Sequence, residues 1–121
     1  TIAAHDVLVL CNASASAALK ARCDVQVVAT GPLSFNGDDA LELVCNNTVL
    51  DTIGQVGDRG EDGQWGTSPT ATADHTLRRA CTITQGDGLA SDFFDPATEW
   101  AGFDTDVFDD LGVDACFPAS P

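Results

Sequence analysis

The chain has 121 residues, enough for one domain around a single hydrophobic core. Its formal net charge is −14, from 19 acidic against five basic residues, a balance that repels nucleic acid and anionic membrane and draws cations instead. Apolar content is that of a globular protein, and no apolar run approaches the roughly 18 residues of a membrane-spanning helix, so global disorder and a helical span are excluded.

From the N-terminus, Asp6 to Leu10 (DVLVL) reads as a short buried strand. Asn12 to Ala21 (NASASAALKA) reads as a loop or one short helix, with Asn12 or Ser14 as its N-cap. Cys11 and Cys23 bracket that excursion, and a disulfide between them staples it shut. Asp24 to Val28 (DVQVV) alternates like a strand. Thr30-Gly31-Pro32 then interrupts the pattern.

The clearest element is a β-hairpin: Ala40 to Cys45, a turn at Asn46-Asn47, then Thr48 to Ile53. Asn tolerates the positive φ that a two-residue hairpin turn demands. This register puts Leu41, Leu43, Cys45 and Leu50 on one face, with Ala40, Glu42, Val44, Val49, Asp51 and Ile53 on the other. Apolar groups on both faces suit a central strand pair of a sandwich. The register also sets Glu42 opposite Asp51, a like-charge pair that costs roughly 0.2–1 kcal/mol. A cation is therefore expected beside them: Arg78, Arg79 or a bound metal.

Gly54 to Thr72 is a long loop whose one large apolar residue, Trp65, is expected to tuck against the sheet. Thr76 to Thr84 (TLRRACTIT) reads as a strand, with Leu77, Arg79, Cys81 and Ile83 on one face. An inward Cys81 would meet Cys45 in a second disulfide. After Gln85 to Gly88, the aromatic and acidic tail carries Phe93, Phe94, Trp100, Phe103 and Phe108 but no sustained helical stripe. It is expected to wrap the sheets as loops, with its aromatic rings as plugs.

Five cysteines without a C-x-x-C pair suggest disulfides and an oxidising, extracellular or cell-surface location rather than a zinc ribbon or redox motif. The expected pairs, Cys11–Cys23 and Cys45–Cys81, leave Cys116 over. No signal peptide is visible, and a chain that starts at Thr1 without any Met reads as a processed chain or a piece of a longer one.

Carboxylate pairs such as Asp38-Asp39 and Glu61-Asp62 are what so acidic a chain produces by chance, so they do not argue for glycosidase chemistry. Asn36-Gly37-Asp38-Asp39 reads as a turn leading into the hairpin, with Gly supplying a permissive φ. The two histidines, His5 and His75, lack a G-x-S-x-G partner, and His75 reads as a turn residue before a strand. Asp104, Asp106, Asp109 and Asp110 offer clustered hard oxygen ligands that suit Ca²⁺, although their spacing is not that of an EF-hand. No phosphate-cradling glycine loop is present. Asn12-Ala13-Ser14 and Asn46-Asn47-Thr48 match the glycosylation sequon.

The ordered set SFNGDDALELVCNNTVLDTIGQVG, WG at 65–66, TADHTLRRACTIT, FDPATEWAGF and DTDVFDDLG resembles the bacterial lamin tail domain over nearly the whole chain. The opening DVLVLCNASASAALKARCD resembles that family's strand and closed excursion. The resemblance implies an all-β, immunoglobulin-like β-sandwich with a loop-rich C-terminal wrap, residues 1–121 forming one domain incomplete at its N-terminus. It implies no catalytic residues. The missing first strands would come from another segment or a neighbouring protomer by β-augmentation, and Cys116 would bond to that piece. The functional expectation is an exported, non-catalytic binding or structural module, a subunit of a surface assembly or an anchor. Two alternatives stand beside it: a fragment of a secreted nuclease or phosphatase whose catalytic domain lies elsewhere, and a calcium-dependent adhesin.

Overall fold

The structure, a computed structural model, describes residues 1–117. It is of the β class, mostly strands and loops. The described residues hold six strands in three two-stranded sheets, with one four-residue helix and one 3-10 turn. They fall into two compact units, Thr1–Ser34 with the C-terminal segment from Phe108, and Phe35–Val107.

In the first unit, strand β1 (Leu10–Asn12) pairs in parallel with β2 (Val25–Val27). The strand expected at Asp6 to Leu10 begins only at Leu10, because the Asp24 carboxylate takes the Val9 N–H at 2.8 Å in place of a ladder partner. Between β1 and β2 lies helix α1 (Ala17–Lys20), capped by Ser16, whose hydroxyl accepts from Leu19 N at 3.2 Å. Asn12 does not cap it. Its side chain is already used, accepting from Ser14 N at 2.8 Å and donating to Leu33 O at 2.9 Å. The Cys11–Cys23 disulfide closes the excursion, with Cys11 buried at the start. Arg22 donates to Asp109 O at 2.7 Å and lies over the Phe108 ring, while His5 packs on Phe117.

In the second unit, β3 (Leu41–Cys45) and β4 (Thr48–Ile53) form the hairpin. Asn46 and Asn47 both have positive φ, 49° and 61°, as the two-residue turn requires. The register departs from a regular hairpin. A bulge between Leu43 and Val44 leaves Leu50 unopposed, so that Leu43 faces Asp51 and Glu42 faces Thr52. The bulge removes the like-charge opposition. It carries Asp51 to the other face of the ribbon, where Arg79 meets it through two hydrogen bonds of 2.5 and 2.9 Å. Of the cations the sequence offered, Arg79 is the partner. Leu43 is 62% exposed, so the hairpin is not covered on both faces as a central pair would be.

Strand β5 (Thr76–Arg79) pairs with β6 (Trp100–Phe103). Part of the expected wrap is thus a strand, and Phe93 lies exposed rather than acting as a plug. Gly102 belongs in that strand because a Cβ there would stand 1.7 Å from Pro69 O. The chain turns at Ala80, with Ile83 N bonded to Ala80 O, so β5 stops short of Cys81. Arg78 and Arg79 lie over Phe103 and Trp100 with guanidinium carbons 4.4 and 4.6 Å from the ring centres.

The expected Cys45–Cys81 bond does not form. Cys45 ends β3 beside the turn as an exposed free thiol, and β5 belongs to a different sheet. Cys81 and Cys116 are both disulfide-bonded, so Cys45 and not Cys116 is left over. A thiol reagent in native buffer should therefore titrate one cysteine, and Cys45→Ser should abolish the reaction. Reaction at Cys81 or Cys116 would refute this pairing.

Candidate functional site

The loop after β4 folds over Trp65, which is 6% exposed. Its backbone N–H donates to Thr72 Oγ1 at 2.9 Å, and that hydroxyl donates to Gly37 O at 2.6 Å. The acidic corner Asn36 to Asp39 is thereby a scaffold turn: Gly37 sits at φ 117°, and Asp38 pairs with Arg59 at 2.8 Å. The Trp65 ring rests on Gly54, where a Cβ would approach it to 2.9 Å, and meets the Phe94 ring edge-on at 6.0 Å.

Trp65, Phe93 and Phe94 line a cleft of about 590 Å³. Its other walls carry four carboxylates: Asp58, Glu61, Asp62 and Asp95. Local chemistry fixes each of these positions. Asp58 accepts from Arg59 N and Gly60 N at 2.6 and 3.0 Å, an Asx turn. Glu61 and Gln64 form a bridge across an Asp62-Gly63 turn, both central residues having positive φ, 54° and 78°. Asp95 caps the 3-10 turn Pro96–Thr98 by accepting from Ala97 N at 3.0 Å.

A second cleft, of about 540 Å³, lies between Phe93-Phe94 and the loop after β5. Asp87, Asp92, Asp95 and Glu99 line it, together with Thr52. Thr52 is 1% exposed, and its hydroxyl has no hydrogen-bond partner among the described residues. The four residues Asp92-Phe93-Phe94-Asp95 separate the clefts, with the Phe93 side chain standing 84% exposed between them. Val56 N to Ala90 O at 2.7 Å and Gln55 Nε2 to Ser91 O at 3.3 Å hold the approach to this ridge. Among the described residues, no Lys, Arg or His side chain lines either cleft. The nearest in sequence, Arg59, is drawn away by Asp38.

Beside the second cleft, Asp51 and Arg79 form an ion pair whose side chains are 27% and 21% exposed. Burial by itself raises the Asp51 pKa. The hydrogen bond from Arg79, those from the Asp87 and Thr52 N–H groups, and the Arg79 charge together outweigh it and hold the carboxyl below its ordinary value. The Asp51 bond likewise raises Arg79. Arg79 Nε makes no hydrogen bond, but lies 3.5 Å from Glu99 Oε2 as an ion-pair contact.

Two other constellations lie outside the clefts. His75 Nδ1 is 2.7 Å from Ala73 O, and Nε2 is 3.1 Å from Ser68 Oγ. A carbonyl only accepts, so in the neutral ring Nδ1 carries the proton and Nε2 accepts from the serine hydroxyl. The sequence marks His75 as a turn residue but carries no local signal that Ser68 lies beside it. The proposed calcium ligands divide between the units, Asp104 and Asp106 in the second, Asp109 and Asp110 in the first. Among the described residues no three His, Cys, Asp or Glu side chains come together to hold a metal.

No protein-family model, curated protein or solved structure matches this chain.

Proposed function

We propose that the chain is a non-catalytic extracellular binding or structural module of the lamin tail kind, an immunoglobulin-like β domain that acts through surfaces rather than chemistry. The observation that carries this reading is the Phe93 ridge. A large aromatic side chain, 84% exposed, stands between two clefts instead of filling the unit's own core. Exposed aromatic anchors of this sort supply most of the energy of protein–protein contacts. Two disulfides fit an oxidising location. The Asn-Asn hairpin, the tucked Trp65 and the strand TLRR support the family resemblance.

The Ser68–His75 contact favours one rival, a hydrolase with serine as nucleophile. Neither residue lines either of the two clefts. The module reading expects no turnover of p-nitrophenyl acetate or bis(p-nitrophenyl) phosphate above buffer. Turnover that Ser68→Ala or His75→Gln abolishes would overturn it.

A further inference from the structure

We propose that the two clefts and the Phe93 ridge form one docking surface for a basic segment of a partner protein, with cationic side chains in the clefts and their methylene stems across Phe93. The inference rests on the binding-module reading and adds the chemistry of the partner.

Charge complementarity fixes the occupant. Both clefts are lined by carboxylates without a basic side chain, and the Glu61 and Asp62 carboxylates make no hydrogen bond or ion pair among the described residues. Asp58 and Asp95 each spend one oxygen on a turn and keep the other. The second cleft is also lined by Thr52, whose buried hydroxyl has no hydrogen-bond partner among the described residues.

Aromatic faces select among cations. Arginine and lysine carry apolar stems and charged heads, so they cover a ring while presenting the head to carboxylates. A hydrated metal ion has no apolar stem to lay across Phe93. A second copy of this chain is disfavoured as occupant, because each copy carries a net charge of −14.

The test is calorimetric titration of the full chain with a short synthetic peptide bearing two arginines. Its glutamate counterpart and spermine are the controls. The arginine peptide should bind, more weakly as salt rises, and the glutamate peptide should not. Phe93→Ala leaves the net charge unchanged and should weaken binding by about tenfold, the equivalent of one good cation–π contact. Phe93→Leu should weaken it nearly as much. Asp62→Asn should weaken binding several-fold, whereas Glu42→Gln, the same loss of charge on β3 and outside both clefts, should leave it unchanged. If Asp62→Asn and Glu42→Gln act alike and Phe93→Ala does nothing, the attraction is only that of an acidic chain and the inference fails. Spermine binding as tightly as the peptide, insensitive to Phe93, would also sink it. Either result leaves the module reading standing, and turnover in the hydrolase assay would remove that reading without touching the titration.

Discussion

Asp51→Asn and Arg79→Met are each expected to lower the free energy of unfolding by about 3 kcal/mol, the low end for breaking an enclosed ion pair by removing one partner. Denaturant titration followed by circular dichroism reads this directly. Each single change strands the other charge, both being about three-quarters enclosed. Arg79→Met keeps the stem that lies over Trp100, so its loss reports the charge and the two hydrogen bonds. The double variant strands neither group and should lose clearly less than the sum of the two. Arg59→Met breaks an ion pair of comparable length to Asp38, but Arg59 is 74% exposed, and the change should stay within about 0.5 kcal/mol. Equal losses at both sites would mean that enclosure adds nothing at Asp51.

The same pair gives a signed pH dependence. The Asp51 pKa is lowered in the folded chain. Its contribution is therefore fully present above the unfolded aspartate value of about 4 and disappears as pH falls through the lower folded value. The stability gap between the wild-type chain and Asp51→Asn should be constant from neutral pH down to about 5 and should close below about 4. A gap that widened on acidification would refute the assignment.

How much of this was legible in the sequence depends on the range of the interaction. The hairpin turn is local chemistry, and Asn46-Asn47 announced it. The bulge is one inserted residue, which alternation cannot register, yet its cause was visible: a regular ladder would have opposed Glu42 and Asp51. The strand β6 was missed because WAGF, interrupted by Gly102, shows no alternation. Its reason for being a strand is β5, far back in sequence, together with Pro69 crowding the glycine. The cysteine pairing failed for a similar reason. Cys45 and Cys81 share a face only if β5 runs on past Ala80, and the chain turns there through the Ile83 N to Ala80 O bond, which the alternation of TLRRACTIT does not show. The clefts were invisible outright. Carboxylates at 58 to 62 and aromatics at 93 and 94 read as solvent-facing trim and plugs until the Gln55–Ser91 and Val56–Ala90 bonds set them side by side.

Trp65→Ala should produce the other large effect, a loss of about 3–5 kcal/mol, as deletion of a buried ring does. Few side chains share this core: in the second unit Trp65, Ala71, Pro96 and Thr52 are buried, beside Gly37 and Gly54. The ring therefore supplies a large part of the apolar area on which the unit depends. The ring also packs against the loop at Gly54 and the Phe94 ring, so removing it empties both contacts, while the backbone N–H bond from Trp65 to Thr72 remains. Trp65→Phe keeps the contact with Phe94 and should cost well under half as much. Gly54→Ala attacks the same contact from the other side: its φ of 85° disfavours any side chain, and the new methyl would press on the ring. If Trp65→Ala unfolded at the wild-type denaturant midpoint while Gly54→Ala did not, the ring would be a passenger. The loop that displays Glu61 and Asp62 would then need another anchor. The expected order, Trp65→Ala lowest and Trp65→Phe nearest the wild type, ties the stability of the cleft floor to one residue and separates it from Phe93, whose removal should change binding and leave the midpoint in place.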